Sequence, residues 1–232
     1  MSHYSVSVII PKEFKEDKLH TVLSESLEPF DESLGIQEYV AYTKADLEDM
    51  YKSYIEKSDT EDIVLESYEE YTKRFHTRGI DEDGNALSAY NPDAKWDWYV
   101  VGGRWDKCIE TKDGKKVNYA RIKDIVFEKE FTDEQLCKIE ENYLDLINNG
   151  NFFKPEYYQR KYPTFEMYLK SHNFSTYALL DRDGEWIEPG EMGWFGMSSA
   201  TPEEETKFQD KYMQLIEKSD PEDWLIVVDC HI

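Results

Sequence analysis

The chain has 232 residues, with 50 Asp and Glu against 27 Lys and Arg, a formal net charge of −23. A field of that sign opposes direct nucleic-acid binding and adhesion to anionic membrane, and 40% apolar with 15% aromatic residues excludes a disordered chain. Three cysteines (Cys108, Cys137 and Cys230) form no C-x-x-C pair, which argues against a disulfide framework or zinc ribbon and for a reducing, cytoplasmic setting.

Met1-Ser2-His3-Tyr4 runs directly into strand-like sequence, and no apolar stretch approaches the length of a membrane span, so neither a signal peptide nor a membrane anchor is expected. His3 to Ile10 alternates as a strand: Tyr4, Val6, Val8 and Ile10 share one face, His3, Ser5 and Ser7 the other. Lys15 to Leu27 has helical spacing through Leu19, Val22, Leu23 and Leu27. Thr43 with Asp46 caps a following helix, and an acidic helix is expected from Glu61 to Phe75. Gly79 to Asp93 reads as a loop. Strands follow at Trp98 to Val101 and Arg104 to Thr111, and the turn Lys112-Asp113-Gly114-Lys115 returns the chain as a strand from Lys116 to Arg121.

Thr132-Asp133-Glu134-Gln135 is a capping box for a helix that stops at Asn148-Asn149-Gly150. A short helix is expected from Thr164 to Ser171. Strands come next at Phe174 to Asp181 and Glu185 to Glu188. Thr201-Pro202-Glu203-Glu204 starts a helix running to about Lys218, and Trp224 to His231 closes the chain as a strand. These elements add up to an α+β fold, a single mixed, mostly antiparallel sheet with helices packed against it. The first and last strands are too apolar to be free edges. One compact domain over 1–232 is expected, with a subdivision near 125 as the alternative.

Three segments carry the chemistry. The first contains Trp98, Gly102, Gly103, Arg104 and Trp105. Adjacent glycines allow close backbone approach, Arg grips a carboxylate or phosphate, and Trp offers a stacking face. The same pattern also suits a bulge, with Arg104 in a salt bridge and the tryptophans in the core. From Arg104 to Asp124 seven basic residues face four acidic ones, a locally positive hairpin within an acidic chain. The second segment, Gly190 to Ser199, holds Trp194, Ser198 and Ser199 before a helix start, a setting suited to an anion; capping alone accounts for Thr201. The third is Asp229 and His231 on one face of the last strand, with Cys230 on the opposite, buried face. If the first strand neighbours the last, His3 joins them. A carboxylate with one or two histidines orients a general base or forms an ordinary hydrogen-bonded pair. Neither a metal nor a cofactor is expected, because no further ligand or dinucleotide motif can be placed.

The opening Met1-Ser2-His3-Tyr4, the segments Asn91-Pro92-Asp93-Ala94-Lys95-Trp96-Asp97-Trp98-Tyr99 with Gly102-Gly103-Arg104-Trp105, Gly190 to Ser199, and Val227-Val228-Asp229-Cys230-His231-Ile232 resemble a family of bacteriophage and prophage proteins. The resemblance covers most of the chain and implies a phage origin and a host-cytoplasm setting; it implies no reaction. Three functions are therefore expected in competition. One is a phage accessory protein that binds a small anionic or nucleotide-like ligand and counteracts host defence signalling. Another is an acidic nucleic-acid mimic that inhibits a basic host protein. The last is a hydrolase or transferase using Asp229 and His231.

Overall fold

A computed structural model describes residues 2–58, 66–193 and 197–232. The chain groups into two compact units, 1–27 with 96–232, and 28–95; residue 125 lies inside the first.

The first unit opens with strand β1 (His3–Ile10), a 3-10 turn at Glu16–Lys18, and helix α1 (Leu19–Leu27). The second unit holds β2 (Tyr39–Tyr42), α2 (Lys44–Ser58), α3 (Tyr68–Thr72), β3 (Gly79–Ile80) and β4 (Ala86–Ser88). Its strands pair in the order β2-β4-β3, so the segment expected to be a loop contributes two short strands. Thr43 caps α2 as expected: its Oγ1 accepts the Asp46 N–H at 3.2 Å, and Asp46 Oδ2 accepts the Thr43 N–H at 2.9 Å. The acidic helix begins later than expected, at Tyr68, because Ser67 caps it by accepting the Glu70 N–H. Residues 61–65 of that expected helix lie outside the described residues.

The first unit resumes with β5 (Trp98–Val101), β6 (Ile109–Glu110), β7 (Lys116–Val117), β8 (Tyr119–Arg121), α4 (Asp133–Asn149), α5 (Pro155–Lys161) and α6 (Phe165–Lys170). It ends with β9 (Ala178–Leu180), β10 (Trp186–Ile187), α7 (Pro202–Lys218) and β11 (Trp224–His231). Both expected capping boxes form, at Thr132 and at Thr201.

The main sheet runs β10-β9-β1-β11-β5, with β8 also on β11; β1 pairs parallel with β9, and the other pairs are antiparallel. The fold is therefore α+β with a mixed, mostly antiparallel sheet. Strands β1 and β11 lie inside it, and seven of eight residues in each are buried. Helix α7 lays Phe208, Tyr212 and Ile216 on one face, against Ile9, Leu225 and Val227. Leu19 and Leu23 of α1 approach Val101 and Ile226 on the other face. A sheet covered on both faces explains why β11 is apolar on both sides over most of its length; β1 carries Ser7 on the α7 face, where its hydroxyl bonds that of Tyr212 at 2.8 Å.

Two expected strands break where polar contacts compete with the ladder. Arg104 to Thr111 becomes a 3-10 turn at Gly103–Trp105 followed by only two strand residues. Lys116 to Arg121 breaks at Asn118, whose side chain donates to Asp106 Oδ1 at 2.9 Å and accepts the Lys107 N–H. As a result β7 forms the hairpin with β6, while β8 joins the main sheet.

Candidate functional site at one end of the central strands

The register decides which side chains meet. His3 lies opposite His231, Ser5 opposite Asp229, and His231 opposite Trp98 on its other side. Directly opposed residues of antiparallel strands share a face, so His3, Asp229, His231 and Trp98 gather on one face at one end of the sheet. Farther along the strands this face is covered by α7; the cluster sits at its end.

Two carboxylates hold two imidazoles. His3 Nδ1 donates to Asp229 Oδ1 at 2.8 Å, and His231 Nδ1 donates to Asp97 Oδ1 at 2.6 Å. The Asp97 backbone N–H also bonds the His231 carbonyl at 3.0 Å, which fixes Asp97 beside the strand end. The two rings stand edge to face with centroids 4.9 Å apart. Trp98 stacks on His231 at 5.1 Å and 18° and meets His3 edge-on at 5.2 Å. The Asp229 and His231 side chains are only 3% and 7% exposed, whereas Asp97 is 33% exposed, and Trp98 keeps 44% of its surface.

With each Nδ1 committed to a carboxylate, Nε2 is the free nitrogen of each ring. Neither Nε2 has a hydrogen-bond partner among the described residues. Among those residues no buried side-chain nitrogen or oxygen lacks a partner, so both atoms reach the surface.

The Gly-Gly-Arg segment belongs to the same cluster. Gly102 donates its N–H to the Val227 carbonyl at 2.9 Å, and the Arg104 N–H then bonds Asp229 Oδ2 at 2.9 Å. Asp229 is thereby satisfied on both oxygens, which a buried carboxylate requires. Both glycines have left-handed backbone, φ 75° and 53°. Gly103 also packs directly on Asp229, where a Cβ would stand 2.8 Å from Cγ. The pair is thus a tight bend over the carboxylate. The Arg104 side chain is exposed and has no ion-pair or hydrogen-bond partner among the described residues.

Other expected site residues fall elsewhere. Trp105 is half-buried and packs on the hydrophobic core. Trp194 lies outside the described residues. Ser198 Oγ bonds the Tyr177 hydroxyl at 2.7 Å and accepts the Ala200 N–H, and Ser199 Oγ accepts the Glu191 N–H, so both serines close their own loop. Burial pushes the Tyr177 phenol up to about 12, which keeps it a proton donor for that closure. The loop meets the cluster through Ser2, whose Oγ donates to the Gly193 carbonyl at 2.6 Å. Cys230 is buried, and burial pushes its thiol up, as expected of a small core residue.

The positive hairpin is largely paired. Lys115 bonds Asp113 at 2.6 Å, Lys123 bonds Glu222 at 2.6 Å, and Arg121 lies 3.8 Å over the Trp224 ring. The Lys115 and Thr111 hydrogen bonds hold the Asp113 carboxyl down at about 2. A groove of about 580 Å³ beside the hairpin, lined by Lys112, Arg121 and Trp224 among others, shares no residue with the histidine cluster.

Asp97 and Ser2 are the residues that sequence reasoning passed over. The signal for Asp97 was present: once β5 is placed antiparallel to β11 with Trp98 opposite His231, Asp97 is the next residue along. Among the described residues no group of three or more His, Cys, Asp or Glu side chains is arranged to hold a metal ion, and no helix is long and apolar enough to cross a membrane. No protein-family model, curated protein or solved structure matches the chain.

Proposed function

We propose that this chain binds a small anionic, nucleotide-like ligand at the strand end formed by His3, Trp98, Arg104 and His231. The observation that carries the reading is the Asp229 carboxylate. It accepts from both His3 and the Arg104 N–H, and so ties the arginine turn to the imidazole pair. In this reading the exposed face of Trp98 stacks on a base, Arg104 meets a phosphate, and the two Nε2 atoms supply hydrogen bonds. The resemblance to phage proteins extends the role to an accessory protein that withdraws a host defence signal. A thermal-shift screen of nucleotides and cyclic dinucleotides tests this. Wild type is expected to be stabilised by at least one of them, and Trp98→Ala and Arg104→Ala, both at exposed positions, are expected to lose that shift without losing the fold. A folded protein that responds to none of them refutes it.

A second reading, a hydrolase or transferase built on Asp229 and His231 with His3, is favoured by one specific feature. Each imidazole is oriented through Nδ1 by a carboxylate and keeps an Nε2 with no hydrogen-bond partner among the described residues, the arrangement a general acid or base needs.

A further inference from the structure

We infer that the strand end cleaves a phosphodiester, with His3 and His231 acting as a general acid–base pair; the inference rests on the anionic-ligand reading above. A single oriented imidazole serves one proton transfer. Displacement at phosphorus needs two, one from the attacking oxygen and one to the departing oxygen. This site holds two imidazoles on neighbouring strands, 4.9 Å between ring centroids, each locked by its own carboxylate. The contact between the rings places both imidazoles at one strand end; in this proposal their two Nε2 atoms serve the attacking and departing oxygens of one phosphorus centre.

The locks are independent. Asp229 is held by the Arg104 N–H on its second oxygen, and Asp97 by its backbone bond to the His231 carbonyl. Neither ring can turn its Nδ1 toward a ligand without breaking a charge-assisted bond.

The diester class follows from the leaving group. An alkoxide departs poorly unless protonated, so a second imidazole is of most use where the departing oxygen belongs to an ester rather than an anhydride. Arg104 supplies the charge for a non-bridging oxygen, and Trp98 the stacking face for a base. In the step, a water oxygen attacks phosphorus while one Nε2 takes its proton. A new P–O bond forms, the P–O ester bond breaks, and the other Nε2–H delivers its proton to the departing oxygen. The products are a phosphomonoester and an alcohol, and proton exchange with solvent restores the pair.

The test incubates the full chain with 3′,5′-cyclic mononucleotides and cyclic dinucleotides in excess EDTA, reading binding by thermal shift and new phosphomonoester by ³¹P NMR. Cleavage with a bell-shaped pH profile is expected. His3→Asn and His231→Asn keep an amide donor at the Nδ1 position but lose Nε2. Each is expected to lower the rate by about 10²–10⁴-fold, beyond any weakening of the thermal shift, and each to remove one limb of the profile. Binding without cleavage overturns this inference and leaves the binding reading standing; binding of none of the probes overturns both. Cleavage abolished by EDTA, or retained within threefold in either variant, overturns the acid–base pair. If His3→Asn does not fold, His231→Asn and the wild-type profile decide, and a profile with fewer than two limbs overturns it.

Discussion

Replacing Gly103 by Ala tests whether the arginine turn is held by direct packing on Asp229. Gly103 and Gly114 both have left-handed backbone, φ 53° and 79°. They differ in surroundings. A Cβ at Gly114 meets nothing within 4 Å, whereas one at Gly103 stands 2.8 Å from Asp229 Cγ and nearer still to its Cβ and Oδ2. Asp229 cannot yield without releasing His3 or the Arg104 N–H. The backbone penalty, roughly 1 kcal/mol, is common to both variants, and overpacking adds about 1–3 kcal/mol at Gly103 alone. At about 2–4 °C per kcal/mol for a unit of this size, Gly114→Ala should lower the melting temperature by about 2–4 °C and Gly103→Ala by about 4–16 °C. Circular-dichroism melts read both. Equal drops in the two variants refute the idea that the glycine is required by the carboxylate beneath it.

Other outcomes follow from the same coordinates. Asp223 is fully buried and accepts from the Lys12 N–H at 2.8 Å and from Arg182 at 3.2 Å. Arg182→Ala should therefore cost about 1.5–3 kcal/mol in chemical denaturation, the range for a hydrogen bond to a charged group; a cost below 0.5 (on the order of a surface change) would contradict it. Thr132→Ala and Thr201→Ala each remove a cap that accepts a backbone N–H and should each cost about 1 kcal/mol. With a thiol reagent on the native protein, exposed Cys137 should react first and buried Cys230 only on unfolding. Cys108, whose thiol burial pushes up, should be slow. Fast labelling of Cys230 would contradict the packing of β11.

Long elements with strong local chemistry were legible in the sequence. β1 and β11 announce themselves by apolar alternation, and α4 and α7 by their capping boxes. Elements whose existence depends on partners were not. β3 and β4 are two and three residues long and gain their geometry from pairing with each other and with β2. α5 has Pro at its start but only seven residues, too few to stand out by periodicity. At the site, the pairing of His3 with His231 followed from two apolar end strands lying side by side. The union of Asp229 with Arg104 did not, because it depends on a three-residue turn folding back over β11. The tryptophans illustrate the limit of composition. Trp96 is buried with its indole N–H on the Leu27 carbonyl, Trp105 packs on the core, and Trp98 alone of these three stays exposed. Only the register distinguishes them.

The most direct test of the strand-end site is side-chain ¹⁵N NMR of the five histidines during titration with the nucleotide that stabilises the protein most. In the free protein His3 and His231 should report Nδ1 as the protonated, hydrogen-bonded nitrogen. On addition of ligand their Nε2 resonances should move, while those of His20, His76 and His172 stay in place. Nε2 resonances of His3 and His231 that do not respond to a bound nucleotide would contradict the account.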